Sequence, residues 1–479
     1  MVDGFPQLEW STARVHFVGI GGIGMSALAR IAAAKGAVIS GCDGADSPIL
    51  AELRSSGFTC HVGHSPAHLD DIDVVVYSSA VPLETPELQT ALTRGIRVVS
   101  RGRMLAWLQR GHDTVAVAGA HGKTTTTWII ANMLIRCGAD PTVAVGGNVA
   151  ELNGNSRVGG RIFVTEADES DGSFLHLVPK YPIITNIDRD HLDYYSGIRE
   201  IKQAFAHFAD KTGDVDGAVI ACADCPYVRS IIKRIGGRKI TYGIEHGDVA
   251  AENVRLQPGR AVYDARLPGG AVKDVVLSLP GVHNVRNSLA ALALAMDLRL
   301  PMDGVLEALA DTSHVDRRLQ NRGSRHGITV YDDYAHHPAE ISATLEAARM
   351  LADKSKGGRL VGVFQPHRYS RTMHLQKEFG PVFDRLDLLL IAPIYAASEP
   401  PIDGVSSELI ARHVKAHGNV KFELVPDLKQ VPGRLSAELA PGDTVITIGA
   451  GDVWQVGDAL FEAMKRAAPA PGQAEAAGG

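Results

Sequence analysis

A lysine and a run of hydroxyls follow a short apolar segment in Val115-Ala116-Val117-Ala118-Gly119-Ala120-His121-Gly122-Lys123-Thr124-Thr125-Thr126-Thr127. Read as strand, turn and helix start, this stretch aims backbone N–H groups and the positive end of a helix at one point above the turn. Lys123 adds a point charge there, and Thr124 adds a hydroxyl suited to a phosphate-bound Mg²⁺. The usual phosphate-loop pattern has its first glycine at position 117, where this chain has Val117. On this stretch alone, a glycine-rich turn with a solvated lysine stays open. A second loop, Gly19-Ile20-Gly21-Gly22-Ile23-Gly24, matches G-x-G-x-x-G in full. It falls between a strand at 14–19 and a helix at 25–35, with Asp43 about twenty residues on, where an acid would face a ribose. Close helix packing is the plainer use of the same glycines.

Further polar groups cluster after apolar runs. Glu166-Ala167-Asp168-Glu169-Ser170-Asp171 offers hard oxygen ligands, of which Mg²⁺ takes one or two beside phosphate oxygens; a surface acidic loop would look the same. In Asp188-Arg189-Asp190-His191-Leu192-Asp193-Tyr194, His191 is either a metal ligand or a hydrogen-bonded loop histidine. Ser78-Ser79-Ala80 ends a strand at the carboxyl edge where α/β sheets bind ligands. Asn284 and Asn287 suit a helix N-cap, or an amide that reads an adenine edge. Later come Asp332-Asp333-Tyr334-Ala335-His336-His337-Pro338, then Gln365-Pro366-His367-Arg368-Tyr369-Ser370-Arg371-Thr372, then Gly449-Ala450-Gly451-Asp452. Arg368 and Arg371 could clamp a carboxylate or be ordinary surface charge.

The elements that must hold these residues alternate between strand and helix. Strands are expected at 14–19, 37–40, 73–77, 96–100, 115–118, 161–166, 181–187, 217–221 and 239–242, with helices at 25–35, 48–56, 86–94 and from Lys123 through Cys137. Residues 250–279 change to short alternating segments split by Pro258-Gly259 and Pro268-Gly269-Gly270, which reads as antiparallel hairpins before an Ala/Leu-rich helix to about 298. Strands at 327–331, 359–364, 386–391, 421–424 and 444–448, with a last helix at 453–466, make a third and largely parallel α/β region. The boundaries expected are 1–108, 109–315 and 316–466, with a disordered tail at 467–479.

The 479 residues exceed one hydrophobic core. A hydrophobic content of 45% with 21% charged residues is ordinary for a globular protein. A net charge of −6 argues against a broad nucleic-acid surface but leaves room for local phosphate sites. No apolar run reaches membrane-spanning length, and the first residues lack the basic and apolar regions of a secretory signal. Five scattered cysteines fit a reducing compartment, so a cytoplasmic location is expected; the Cys222/Cys225 pair is read as incidental.

In order, the motifs resemble the Mur ligase family, which makes the peptide of bacterial cell-wall precursors. The likeness runs from about residue 14 to about 464. It is carried by His16-Phe17-Val18-Gly19-Ile20-Gly21-Gly22-Ile23-Gly24-Met25-Ser26, the Lys123 loop, the Glu166 and Asp188 clusters, His283-Asn284-Val285-Arg286-Asn287, and the Asp332 and Pro366 stretches. The family's phosphate loop has this shorter form. The resemblance implies an α/β protein of three domains: N-terminal Rossmann-like and UDP-binding, central P-loop-type ATPase with a mixed sheet, and C-terminal Rossmann-like. It implies an ATP-driven ligase joining L-alanine to the lactyl carboxylate of UDP-N-acetylmuramate through an acyl phosphate, the first peptide step of peptidoglycan precursor synthesis. Small-molecule substrates, two Mg²⁺ ions, no nucleic acid, no membrane insertion and a monomer or homodimer go with it.

By the same likeness Gly119, Ala120, His121, Gly122, Lys123, Thr124 and Thr125 cradle ATP, and Lys123 stabilises the transferring phosphoryl group. Thr124 and Glu166 hold one Mg²⁺. His191 helps hold the second and touches the sugar nucleotide. Asn284 reads adenine, and Arg318 and Asp332 complete the nucleotide site. Gly21, Gly22, Gly24, Asp43 and Ser79 line the UDP site. Tyr334, His336, Arg368 and Arg371 bind the amino acid. Two details depart from the pattern: Cys42 stands where a serine often precedes the aspartate, and Gly102-Arg103 where Ala-Glu is usual. A recycling ligase that attaches a tripeptide to the same sugar nucleotide shares most of these motifs. An NAD(P)-dependent dehydrogenase would explain Gly19 to Gly24 and Asp43 but not the Lys123 loop. A non-catalytic nucleotide-dependent regulator would leave the third-region motifs idle.

Overall fold

Strand β1 (Arg14–Val18) is buried beyond its first residue, as a parallel strand covered on both faces must be. With β2 (Val38–Asp43), β3 (Thr59–Val62), β4 (Val74–Tyr77) and β5 (Arg97–Ser100) it forms an all-parallel sheet in the order β3-β2-β1-β4-β5. Its helices are α1 (Ile23–Ala34), α2 (Pro48–Ser55), α3 (Pro86–Thr93) and α4 (Arg101–Leu108). The strand order reverses between β1 and β4. The loops after those two strands therefore flank the crevice where such sheets bind ligands. This computed structural model describes residues 8–191, 194–214, 216–352, 357–397 and 399–466; the expected tail at 467–479 lies outside the described residues.

A ten-stranded mixed sheet follows, with β6 (Asp113–Ala118), β7 (Thr142–Val149), β8 (Gly154–Arg157), β9 (Ile162–Glu166), β10 (Tyr181–Ile184), β11 (Val219–Cys222), β12 (Lys239–Gly243), β13 (Val249–Gln257), β14 (Arg260–Leu267) and β15 (Gly270–Leu277). Its order is β15-β14-β13-β12-β11-β10-β6-β9-β7-β8. The pair β14–β15 is the expected antiparallel hairpin, and β7–β8 is a second antiparallel pair. Helices α5 (Lys123–Arg136), α6 (Ile198–Asp210), α7 (Pro226–Ile232), α8 (Val282–Leu298) and α9 (Met302–Ala310) surround it. Strand β6 lies between β9 and β10, parallel to both. That places the Lys123 loop between the two acidic stretches.

The two sheets share one core. Met104, Leu105 and Trp107 of α4 belong to the same buried cluster as Phe174, Leu177, Phe205 and Phe208. Phe174 lies 5.3 Å from Phe205 and 5.1 Å from Phe208 between ring centroids. Each such ring contributes about 1.5–3 kcal/mol through burial. Polar contacts join the same layers: Arg30 of α1 donates to Asn155 Oδ1 at 2.8 Å, and Asn155 donates to Ser26 Oγ at 3.2 Å and to the Ile23 carbonyl.

A six-stranded sheet is built from β16 (Gln320–Arg325), β17 (Ile328–Asp333), β18 (Leu360–Phe364), β19 (Leu388–Ile391), β20 (Lys421–Leu424) and β21 (Thr444–Ile448), in the order β16-β17-β21-β18-β19-β20. Only β16 is antiparallel to its neighbour. Helices α10 (Pro338–Leu351), α11 (Tyr369–Leu375), α12 (Ser407–His417), α13 (Val431–Ser436) and α14 (Gln455–Arg466) cover it, over one core around Phe364, Phe379 and Phe383 and another around Val330, Val363 and Val445. The first two sheets form one compact unit, Met1–Arg255, Ala261–Leu279 and His283–Val315; the third sheet lies in the other, Leu256–Arg260, Pro280–Val282 and Asp316–Gly479. No helix among the described residues is long and apolar enough to cross a membrane.

One local expectation is corrected. Neither Asn284 nor Asn287 is an N-cap, because α8 begins at Val282. Gly281, at φ 97°, turns the chain three residues before Asn284, the earlier of the two expected caps. The two amides instead stack along the first turns, with Asn287 Nδ2 donating to Asn284 Oδ1 at 3.2 Å.

Candidate active site

The Lys123 loop is held by the strand next to it. Gly119 leaves β6 at φ 140°, and a Cβ there would collide with Thr185 Oγ1. Thr185 Oγ1 donates to the His121 carbonyl at 2.7 Å; Asn186 Nδ2 donates to the same carbonyl at 2.8 Å, and Asn186 Oδ1 accepts from the His121 amide at 2.9 Å. The Ala120 amide is held by the Asn186 carbonyl at 3.3 Å. His121 Nε2 lies 3.1 Å from Asp188 Oδ2. Gly122, at φ 83°, then starts α5, and a Cβ on it would sit 2.8 Å from Asn287 Oδ1. Thr124 and Thr125 therefore open a helix whose first N–H groups face out of a fixed turn.

Lys123 Nζ donates to the Gly119 carbonyl at 2.7 Å and to Glu169 Oε1 at 2.6 Å. Burial works against its charge, but Glu169, with Asp168 and Glu166 behind it, holds the ammonium above its ordinary range. Thr124 Oγ1 donates to Glu166 Oε2 at 3.1 Å, and the Gly146 amide donates to Glu166 Oε1. His191, in the left-handed region at φ 56°, puts Nε2 3.6 Å from Glu169 Oε1 and 3.7 Å from Asp190 Oδ2. Burial opposes protonation of its ring, yet those carboxylates raise its pKa. Glu169 Oε2 is buried with no hydrogen-bond partner among the described residues. The Thr124 hydroxyl and the carboxylates of Glu166 and Glu169, the latter with its orphaned oxygen, form beside a phosphate-type loop a hard-oxygen donor set that fits Mg²⁺.

The other glycine loop sits in the same unit. Asp43 Oδ2 accepts from the Gly21 amide at 2.9 Å, so the carboxylate braces the loop from beneath. Gly22 precedes α1 and is exposed. Ser79 is exposed in the turn after β4, across the crevice from the loop. A Cβ on Gly24 would lie 3.4 Å from Arg101 Nη1. Arg101 in turn bonds Asp168 Oδ2 at 2.6 Å and so ties the first glycine loop to the acidic cluster of the second. Burial opposes ionisation of Asp168, but Arg101, with Lys123 behind it, holds its carboxyl well below the usual carboxylate range.

Within the second unit, the four residues expected around an amino acid come together. Tyr334 packs edge-on to His336 at 5.6 Å between centroids, and His336 approaches His367 at 5.7 Å. His367 Nδ1 lies 3.1 Å from Arg371 Nη1. Its ring stacks on Tyr395, whose carbonyl accepts from the Arg368 amide at 2.8 Å. Burial and then the cationic neighbours His336, Arg371 and Arg368 push the His367 pKa down to about 3. Arg318 lies 5.2 Å over the Tyr334 ring. Asp332 is buried, accepting from Arg317 Nε at 2.9 Å and Thr447 Oγ1 at 2.6 Å.

Several contributors were not singled out from the sequence. Glu169 and Asp168 lie inside a quoted acidic motif in which nothing ranks one carboxylate above another. Thr185 and Asn186 carry a signal only once β10 is known to lie beside β6. Arg317 adjoins the expected Arg318, and it is Arg317 that reaches Asp332.

Comparison with known proteins bears on all three regions. Residues 14–112 match "Mur ligase family, catalytic domain", residues 117–295 match "Mur ligase middle domain", and residues 317–451 match "Mur ligase, glutamate ligase domain". The chain is 44% identical over 456 residues to a UDP-N-acetylmuramate–L-alanine ligase of Geobacter sp. (strain M21), covering 95% of this chain and 98% of that one. It is 43% identical over 454 residues to the protein of the same name from Trichlorobacter lovleyi, covering 94% and 99%. Among solved structures it resembles the UDP-N-acetylmuramate-alanine ligase of Thermotoga maritima, with a TM-score of 0.81 at 28% identity over 94% of this chain and 99% of that one.

Proposed function

The chain belongs to the Mur ligase family, and we propose that it uses ATP to join L-alanine to the lactyl carboxylate of UDP-N-acetylmuramate, in the cytoplasm, at the first peptide step of peptidoglycan precursor synthesis. The observation that carries this reading is the name shared by relatives 43–44% identical over nearly the full length of both chains. The geometry of the first unit is consistent with it. A pyrophosphate-type loop and a phosphate loop are linked through Arg101 and Asp168, as a ligase that brings a sugar nucleotide to ATP requires.

A carboxylate is a poor acylating agent because its leaving group is oxide. Its oxygen attacks the γ-phosphorus, the bond to ADP breaks, and the acyl phosphate formed has a good leaving group. The amine of alanine then attacks the acyl carbon, inorganic phosphate departs, and the amine's extra proton passes to solvent. The protein's part is positioning and the spreading of negative charge. Lys123 donates to the β/γ-phosphates and follows the transferring group. The loop of Gly119, Ala120, His121 and Gly122, with Thr125 in the first turn of α5, cradles the phosphates, Asn284 reads adenine, and Arg318 and Asp332 complete the nucleotide site. Thr124, Glu166 and His191 would hold two Mg²⁺ ions, which when bound neutralise phosphate charge and draw the γ-phosphate and the lactyl carboxylate together. Gly21, Gly22, Gly24, Asp43 and Ser79 hold the UDP portion, with His191 at its sugar end. Tyr334, His336, Arg368 and Arg371 hold alanine, the two guanidinium groups facing its carboxylate.

The test is phosphate release measured across sugar nucleotides and acceptors. Release that requires ATP, Mg²⁺, UDP-N-acetylmuramate and L-alanine together is expected. Preference for L-Ala-γ-D-Glu-meso-diaminopimelate over alanine would overturn the assignment of the acceptor.

A further inference from the structure

On the face of the first sheet packed against α3, four side chains that serve none of this chemistry converge. His16 comes from β1, Cys42 from β2, His68 from a 3-10 turn at Pro66–Leu69, and Glu87 from α3. One ligand-capable atom from each lies within 4.8 Å of every other. His68 Nδ1 is 3.1 Å and Cys42 Sγ 3.3 Å from Glu87 Oε1. His64 Nδ1 lies 3.3 Å from Glu87 Oε2, and the His61 ring stacks on His68 at 4.1 Å between centroids. His16, Cys42 and Glu87 are fully buried, beside Val18, Leu69, Val75 and Leu88. The imidazoles of His68 and His64 are part-exposed and stand at the mouth.

We propose that His16, Cys42, His68 and Glu87 form a closed structural site for a zinc-class divalent ion. Its defining observation is His16. Nδ1 lies 2.9 Å from Ser40 Oγ, while Nε2 is buried with no hydrogen-bond partner among the described residues. In the tautomer that donates Nδ1–H to the serine, Nε2 carries the lone pair, which is how an outer-shell contact prepares a metal-bound histidine. The donor set is two nitrogens, one sulfur and one carboxylate oxygen. That suits Zn²⁺ or Co²⁺ in tetrahedral coordination and not Mg²⁺, which takes six oxygens. Donors bonded at about 2.0–2.3 Å in a tetrahedron stand roughly 3.3–3.8 Å apart, so these donors, all within 4.8 Å of one another, must draw together on binding. Ligation forms the S–metal bond as the Cys42 thiol releases its proton to solvent. The dication is then balanced by one thiolate and one carboxylate, leaving a neutral centre in an apolar wall. Cys42 is the residue at which this chain departs from the serine of its resemblance. It precedes Asp43, so the ion would fix the strands that carry the braced glycine loop.

The experiment is titration of the full-length protein with Co²⁺ in excess Mg²⁺, which occupies all-oxygen sites without a thiolate signal. One equivalent is expected to give tetrahedral d–d absorption and a near-ultraviolet thiolate-to-Co²⁺ band, both removed by stoichiometric Zn²⁺. Cys42→Ser should lack the charge-transfer band. His68→Gln, at a part-exposed position that puts the fold at little risk, should weaken Co²⁺ binding about tenfold or more. No charge-transfer band in the unaltered protein, the same band in Cys42→Ser, or unchanged affinity in His68→Gln would overturn the proposal.

Discussion

Lys123 Nζ sits 2.6 Å from Glu169 Oε1, and the two side chains are 18% and 3% exposed, so the loop's cation is aimed by a carboxylate instead of by solvent. An ammonium has three donors. Two are engaged within the loop and acidic cluster among the described residues, which leaves the third for a phosphate oxygen. Lys123→Ala should lower kcat by about 10²–10³, or about 3–4 kcal/mol of transition-state stabilisation. Glu169→Gln keeps the shape but not the charge, and should cost less in kcat while raising the KM for ATP. Steady-state phosphate release measures both, and normal turnover in Lys123→Ala would sink the assigned role.

Arg101 and Asp168 join what the sequence presents as separate loops. Both side chains are part-exposed, so solvent weakens the pair, and its worth lies in the geometry it imposes. A double-mutant cycle of Arg101→Met and Asp168→Asn, read by urea unfolding, should give a coupling of about 0.5–3 kcal/mol. Strict additivity of the two single changes would mean that the contact does not link the loops.

Gly102, where the resemblance has alanine, faces Ser173 so closely that an added Cβ would overlap the serine's own. Ser173 cannot yield easily. Its amide donates to Asp171 Oδ1 at 3.0 Å and its hydroxyl to the Asp168 carbonyl at 3.2 Å. Gly102→Ala should therefore destabilise by about 1–3 kcal/mol. Adding Ser173→Gly should recover most of that loss in thermal unfolding. A stable Gly102→Ala protein would show that the acidic loop adjusts.

What the sequence reveals follows from which forces are local. Buried parallel strands such as Val115-Ala116-Val117-Ala118 and Leu360–Phe364 are continuous apolar runs, so their places and the polar loops beyond them could be read directly. Apart from Thr142–Val149, an eight-residue and largely apolar strand, the strands outside that expectation are short or polar: Thr59–Val62 is part-exposed at a sheet edge, Gly154–Arg157 is Gly-Asn-Ser-Arg, and Gln320–Arg325 holds a bulge near Gly323. Each is defined by a partner strand and not by its own pattern. Helix α6 differs, since Ile198, Ile201, Phe205 and Phe208 recur at helical spacing and could have been found. Pairings such as Arg101 with Asp168 span 67 residues and have no sequence signature at all.

Acid titration should expose two opposed groups in the second unit. Burial pushes the His367 pKa from 6.5 to about 3, helped by the cations around it. Between those values the unfolded chain binds the extra proton, so this group makes stability rise with pH. Burial pushes the Asp333 pKa from 3.8 up to about 6, against the opposing pull of Arg318 and of the amides of Ala335 and Leu319. Between those values the folded protein binds the extra proton, so this group makes stability fall as pH rises. Each contributes a slope of about 1.4 kcal/mol per pH unit of opposite sign, and across the shared window the two largely cancel. Asp333→Asn should make stability climb more steeply with pH between the two Asp333 values, by about that slope. His367→Asn should tilt it the other way. Urea unfolding at several pH values measures both, and parallel stability curves for the parent and both variants would show that neither proton uptake is linked to folding.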